Sequence, residues 1–515
     1  MPIVLPESSE QRTASPLITH CKNHKPDKQM KKYILSIASL LAVVTFSCRK
    51  IEADGEKEIV VINGGGSGST TGKRVELSGR IIKDTVLRKG DENILKGKVY
   101  VANGATLTVE AGATVKGSFA GSDVALLVIT RSAKINARGT ATEPIVFTSA
   151  SQNPQSGDWG GIVLCGKANI NTSFNGKQGL FQVEGEVDNA QGDGLAGYGD
   201  LTPATPVDND NSGVLSYVRI EYAGYAFQPD KEVNSLTMAA VGHGTTVDHI
   251  QVAYAKDDAF EWFGGTVNCK YLIAWKTQDD DFDTDNGYSG KVQFGLVIRD
   301  SVIADISRSE AFESDNNAAG STVTPRTSAI FSNITAIGPK ATSNNIGNNL
   351  FRGAAHIRRN TGISIFNSII IGWGLGFEID ATTGTSTALN IEDSTIRLRN
   401  NTLAGNTVNF RFSGTAGNTI TNDATFNAWI TNSYYNNDVL ANASDAKLIQ
   451  PFNYAAPDPT PFAGSNGNQK ILSGGGFTDS KFAGDTFFDK TVTFRGGVAP
   501  AGIEASWWKG WTSFE

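Results

Sequence analysis

Methionine is nearly missing from this 515-residue chain, which has 3, and no long stretch carries the 3.6-residue apolar period of an amphipathic helix. Those two deficits argue against a helical body. A basic surplus is lacking as well. The 45 Lys and Arg face 52 Asp and Glu, a net charge of −7, so nothing is left over to neutralise phosphates and nucleic acid is excluded as the natural partner. Cysteine is scarce, at 4, and no C-x-x-C spacing offers a zinc site. Cys165 and Cys269 lie far apart and read as independent buried side chains. No apolar run is long enough to span a bilayer. No G-x-S-x-G, H-E-x-x-H or phosphate-cradling loop marks a familiar catalytic centre. What the chain has instead is 56 glycines, with many Thr, Ser, Asn and Asp between short apolar runs. That is the composition of a β protein.

One apolar run, Tyr33 to Phe46, follows Lys28, Lys31 and Lys32 and precedes Ser47-Cys48. A basic stretch, a short apolar core and a small residue before Cys make a secretory signal. It is similar to a bacterial lipobox, in which Cys48 is lipidated and becomes the mature N-terminus. Met30 rather than Met1 then reads as the start. Residues 1–47 are the upstream extension and signal. Residues 48–73, which include Gly64-Gly65-Gly66-Ser67-Gly68-Ser69, are a flexible tether. A lipid, a tether and a folded body imply attachment to the outer membrane of a cell envelope, with the membrane as partner through the anchor.

Farther on, a phenylalanine is followed at once by a charged residue six times, each just downstream of a short apolar run. The pairs are Phe260-Glu261, Phe282-Asp283, Phe312-Glu313, Phe351-Arg352, Phe377-Glu378 and Phe410-Arg411, at spacings of 22, 30, 39, 26 and 33 residues. Strand-like units repeating every ~20–40 residues stack as a solenoid, each burying its apolar side against its neighbours. The fold expected is all-β, a right-handed parallel β-helix with capped ends, over residues 74–440. Residues 171–213 form a Gly- and Asp-rich loop insertion, and 441–515 an irregular C-terminal cap whose Trp507, Trp508 and Trp511 cover the open end. Asn333, Asn367, Asn401 and Asn432, at intervals of 34, 34 and 31 residues, predict an Asn ladder at a bend that needs left-handed backbone.

These turns resemble the parallel β-helix repeats of the pectate-lyase-like kind. The Trp159-to-Gly166 segment and the Trp-rich end are also similar to large secreted lipoproteins of Bacteroidota whose role is not established, a resemblance that implies no catalytic residues. Gly242-His243-Gly244 and Asp257-Asp258 resemble pieces of the polygalacturonases, but in reversed order and without the R-I-K piece, since Arg219-Ile220-Glu221 stands there. A lyase needs an Arg or Lys base beside bound calcium, and Arg352, His356, Arg358 and Arg359 supply such groups without a diagnostic spacing.

Equivalent residues on successive turns lie about 4.8 Å apart, and strand side chains alternate in and out. With the six Phe inward, the expected outward column is Glu261, Asp283, Glu313, Arg352, Glu378 and Arg411. A second column two residues on holds Phe263, Asp285, Asp315, Ala354 and Asp380. Arg352 would bridge Glu313 and Glu378. Asp283, Asp285, Glu313 and Asp315 form a quartet of hard oxygen ligands suited to Ca²⁺. Asp208 to Gly213 resembles half a calcium loop, but Arg219 stands where the bidentate Glu belongs, leaving an Asx-rich turn. The functional expectation is a non-catalytic glycan-binding or surface-structural protein with a polysaccharide as ligand. The alternative is a polysaccharide lyase or glycoside hydrolase acting on the charged face.

Overall fold

Short apolar runs separated by Gly, Asn and Asp turns wind into a right-handed parallel β-helix. The computed structural model describes residues 60–62, 72–228, 231–339 and 348–515. The signal segment, Cys48 and most of the tether lie outside the described residues. Within the expected tether, Val60–Ile62 forms a strand antiparallel to Arg74–Glu76, against the first turn.

Each turn contributes one strand to each of three stacked sheets. The first sheet runs from Leu126–Ile129 through Ile162–Cys165, Leu236–Ala239, Phe260–Phe263, Phe282–Asp285 and Ser309–Ser314 to Phe351–Ile357, Leu375–Ala381 and Val408–Gly414. The second and third are formed by the two halves of longer strands such as Thr246–Ala253 and Asn268–Trp275. A single left-handed residue separates those halves and turns the chain from one sheet to the next. It is Tyr217 (φ 51°), His249 (51°), Tyr271 (60°), Phe294 (64°), Asn333 (59°), Asn367 (53°), Asn400 (58°) and Asn436 (51°) on successive turns. The expected Asn ladder is thus half right. Asn333 and Asn367 occupy the bend, but Asn400 and Asn436 replace Asn401 and Asn432. Asn401 is buried instead, accepting from the Ser368 N–H at 3.0 Å and donating to the Ile365 carbonyl at 2.9 Å. In the four earlier turns rings take the bend and stack, Tyr217 on His249 at 4.1 Å and His249 on Tyr271 at 4.3 Å.

Inside, Phe260, Phe282 and Phe312 stack at 5.7 and 5.5 Å between centroids and are fully buried. Each such ring contributes ~1.5–3 kcal/mol of burial. Cys165 and Cys269 are free and buried, as expected, and burial pushes both thiols up to about 12. The Asx-turn reading of Asp208 to Gly213 holds: Asn211 Oδ1 accepts from the Gly213 N–H at 2.8 Å. Gly213 sits at φ 112°, where any Cβ would run into the Ile135 carbonyl.

The Trp-rich segment does not cover the open end. The helix Asp423–Ile430 does that, with an Asn422–Thr425 capping box and Phe426 packed edge-on to Phe410. Residues 474–515 run back along the flank of the stack. Phe494, Trp507, Trp508 and Trp511 cluster with Ile273, Phe294 and Leu296. The Gln251 side chain exchanges two hydrogen bonds with the Ser513 backbone, at 2.6 and 2.9 Å. The physical reason is the aromatic bend column, which needs its rings covered along the flank.

Candidate functional site

The outward side of the first sheet changes character along the stack. Over the early turns it is apolar. Tyr100, Val128, Val163, Cys165, Ala239 and Phe263 form one cluster with Val183, Val187 and Ala196 of the insertion. Residues 171–213 therefore roof this part of the sheet. Polar contacts pin the roof down: Arg80 pairs with Asp193 at 2.7 Å, and the Tyr100 hydroxyl donates to the Val187 carbonyl at 2.8 Å. Beyond Phe263 the same surface is paved with charge.

Strand register fixes the outward column as Thr237, Glu261, Asp283, Glu313, His356, Glu378 and Arg411. Five of the six expected members stand in it. Arg352 does not. Phe351 pairs with Ser309, and a bulge between Ser309 and Glu310 brings Ala355 beside Phe312 and His356 beside Glu313. Ala354 likewise leaves the second column and is buried among core residues. Arg352 still bridges two turns, but between Glu378 (2.9 Å) and Glu310 (3.7 Å) rather than Glu313, with Asp380 at 3.4 Å.

A further column, absent from the expected one, lies at the corner where the third sheet feeds the first. Asn234, Asp258, Asp280 and Glu310 stack there. The Asp258 N–H donates to Asn234 Oδ1 (3.3 Å), the Asp280 N–H to Asp258 Oδ1 (2.9 Å) and the Glu310 N–H to Asp280 Oδ1 (2.6 Å). Asp258 and Asp280 thus each satisfy a backbone N–H of the next turn. Beneath this corner Arg299, fully buried, donates to Asp281 Oδ2 and the Thr277 carbonyl, both at 2.8 Å, and to the Glu310 carbonyl.

The site is bipolar. At its far end every acid has a cation. Arg358 grips Glu313 and Asp315, Arg359 reaches Asp315 at 2.6 Å, and His356 Nε2 lies 3.0 Å from Asp380 Oδ2. His356 is 2 % exposed, and its Nδ1 faces Glu310 (3.5 Å) and Glu313 (3.7 Å). Burial lowers the His356 pKa, yet Asp380 and Glu310 outweigh it and hold the imidazole above its ordinary value. Glu310 is held below the usual range by His356 in spite of its burial. At the near end, among the described residues, no Lys or Arg comes within ion-pair distance of Asp258, Glu261, Asp280 or Asp283. Burial first, and neighbouring carboxylates second, push all four well above the carboxylate range. Asp285 is pushed up to about 8 by burial and by Asp315. Two like charges ~5 Å apart at an intermediate dielectric repel by roughly 3 kcal/mol.

The quartet expected to hold Ca²⁺ is therefore divided. Asp283 and Asp285 make no ion pair among the described residues, although Arg358 lies near enough to act on both, while Glu313 and Asp315 are held directly by arginines. Three trios, the first two sharing Asp258, bring ligand atoms within 4.8 Å of one another: Asp257, Asp258 and Asp279; Asp258, Glu261 and Asp283; Asp280, Glu310 and Glu313. Sequence reasoning missed Asp279, Asp280 and Glu310 because they precede the Phe of each turn. The signal was there, in an acidic residue two or three positions before Phe260, Phe282 and Phe312.

No curated protein matches the chain. A family model for a pectate-lyase-like β-helix domain matches residues 79–446, which takes in every turn of the carboxylate row. With more than half its length matched, the chain belongs to the family of pectate-lyase-like β-helix domains.

Proposed function

We propose that this protein is a cell-envelope lipoprotein whose β-helix binds a polysaccharide along the charged stretch of its first sheet. One observation carries the reading: the outward side of the sheet is roofed and apolar over the early turns, and from Glu261 to Glu378 it is lined by buried and half-buried acids, His and Arg. Four inter-strand steps span about 19 Å. A strip of that length, lined with donors and acceptors at every step, suits an extended polyhydroxylated chain and offers little to an apolar ligand. Fold membership alone supplies no ligand.

A second reading, a polysaccharide lyase or glycoside hydrolase, is favoured by the array Asp380–His356–Glu310 beside Asp280. There a carboxylate held low and a carboxyl held high lie on adjacent turns, the usual requirement for a base and an acid. A panel of polysaccharides scored for both binding and new chain ends separates the two. Binding without cleavage, weakened at least tenfold by Arg352→Ala, supports the first. Cleavage abolished by His356→Ala supports the second. A chain that neither binds nor cleaves any member of the panel rejects both.

Anchoring rests on the Lys-rich, apolar and Ser47-Cys48 pattern. Lipidation of Cys48 attaches the chain to the outer membrane, and Cys48→Ser releases it or leaves it unprocessed. Full retention of Cys48→Ser in salt-washed envelope membranes overturns this.

A further inference from the structure

We propose that Arg397 and Lys481, with Tyr434 and Tyr435 beside them, bind an oxyanion borne on a sugar, either a phosphate ester or a carboxylate. The site lies on the second sheet and does not rest on the charged strip of the first.

The strand Arg397–Arg399 follows Ser364–Phe366 in that sheet. Ile396 and Leu398 enter the core, so Arg397 and Arg399 both point outward. Over the preceding turns the outward side is covered by Phe477, Phe482 and Phe488, which cluster with Ile330 and Phe366. The same covering segment brings Asp479 against the two arginines and carries Lys481. Asp479 is already committed. Its Oδ2 accepts from Arg399 Nη1 at 2.8 Å, and its Oδ1 accepts from the Lys481 backbone N–H at 3.0 Å. Burial works against its charge, yet Arg399 and that N–H outweigh it and hold the carboxyl below its usual range. One buried carboxylate thus faces three cations. The other acid that acts on Lys481, Asp393, is exposed and screened by solvent.

Arg399 has further partners, since its Nη2 donates to the Tyr434 carbonyl at 3.1 Å and its guanidinium lies 4.5 Å from the Tyr434 ring centroid. Arg397 has none. Its side chain is 13 % exposed, and its Nε stands 3.5 Å from Asp479 Oδ2. That Nε is shut from solvent without a hydrogen bond, and the guanidinium donates to no other group among the described residues. Buried donors are almost always satisfied, and an ionised one without a partner is costly. An oxyanion completes both the hydrogen bonding and the charge of this fork, whereas water supplies only the first. Lys481 argues likewise. Its Nζ donates to the Thr395 carbonyl at 2.7 Å and has N–H groups to spare. Burial first, and Arg397 second, lower its pKa. A bound anion relieves that repulsion.

The sugar follows from the rings. Tyr434 is 57 % exposed beside these cations and packs edge-on to Tyr435 at 5.1 Å. Tyr435 lies against Trp429 at 4.2 Å. Burial raises the Tyr435 phenol, and Arg397 is near enough to oppose it. Such rings offer an apolar surface to the C–H side of a sugar and a hydroxyl to its polar edge.

The experiment titrates the purified full chain, by calorimetry, with glucose 6-phosphate, glucuronate, inorganic phosphate and glucose. Chloride keeps the ionic strength constant. At least one of the two anionic sugars should bind, more tightly than inorganic phosphate, and glucose should not. Whichever anionic sugar binds more tightly identifies the oxyanion. Arg397→Gln and Lys481→Gln should each weaken that binding about tenfold or more. Tyr434→Ala should weaken the anionic sugar and leave inorganic phosphate unchanged. A wild-type chain that binds neither anionic sugar overturns the site, a result that does not depend on any variant folding. Glucose bound as tightly as its 6-phosphate overturns the need for an anion. Binding that survives in both Arg397→Gln and Lys481→Gln overturns the residue assignment, with melting curves confirming that each variant is folded. Inorganic phosphate bound as tightly as the sugar ester, with Tyr434→Ala silent, overturns the part given to the sugar.

Discussion

Arg358 holds two carboxylates of the row at once, Glu313 and Asp315, and neither has water to fall back on. Asp315 is 5 % exposed, and the Glu313 side chain is 13 % exposed. Removing one partner of a buried pair leaves a charge that cannot be solvated, at a cost of about 3 kcal/mol. Arg359 still reaches Asp315, so the penalty in Arg358→Ala falls mainly on Glu313. Urea denaturation of Arg358→Ala in chelator should therefore show a loss of about 2–4 kcal/mol. A loss under about 0.5 kcal/mol would mean that the pair behaves as an exposed one. At this scale the sequence was readable up to a point. Glu261, Asp283, Glu313 and Glu378 were placed in their column by the Phe that precedes each of them. Arg352 was misplaced because the rule looked for Phe, and the true repeat on that turn is Ala355-His356-Ile357, matching Phe377-Glu378-Ile379. The spacing held the clue: Ala355 precedes Phe377 by 22 residues, as Phe260 precedes Phe282.

Among the elements, the strands were legible and the corners were not. An alternating run such as Ile250-Gln251-Val252 announces a strand, because burial on one side demands period two. A corner obeys no such period. The left-handed bend accepts Asn because its short side chain tolerates that conformation, which explains why Asn333 and Asn367 could be found. It also accepts Tyr217, His249, Tyr271 and Phe294, where ring stacking and a covering segment offset an intrinsic cost of ~1–2 kcal/mol. Nothing local in the sequence signals that compensation. The acidic corner is similar. Asp258 drew notice only through the likeness of Asp257-Asp258 to a polygalacturonase piece and Asp280 drew none, and only the stacking of turns shows each one holding the next turn's backbone N–H. The insertion was visible as a break in the period, but its role as a roof over Val163, Cys165 and Phe263 comes from tertiary packing.

For the whole molecule, the return of the C-terminal segment along the flank matters more than its composition. A solenoid has two vulnerable surfaces, its ends and any face left apolar. The helix Asp423–Ile430 guards one end, so the tryptophans are free to guard a face. They cover the bend column of the early turns: Trp511 lies edge-on to Tyr217 at 5.7 Å, and Trp507 lies against Tyr271 at 5.1 Å. Gln251, fully buried, depends on Ser513 for both of its amide partners. Ending the chain after Val498 would expose those rings and strand that amide, each a named source of large destabilisation. The expected outcome is local. Hydrogen exchange should quicken in Gly213–Glu221, Thr246–Ala253 and Asn268–Trp275. Val408–Gly414 and Asp438–Leu440, which pack far along the stack, should keep their protection. A cap over the open end would give the reverse pattern. Loss of protection beginning at Val408–Gly414, with Thr246–Ala253 unchanged, would show that the segment closes the end of the solenoid rather than its side.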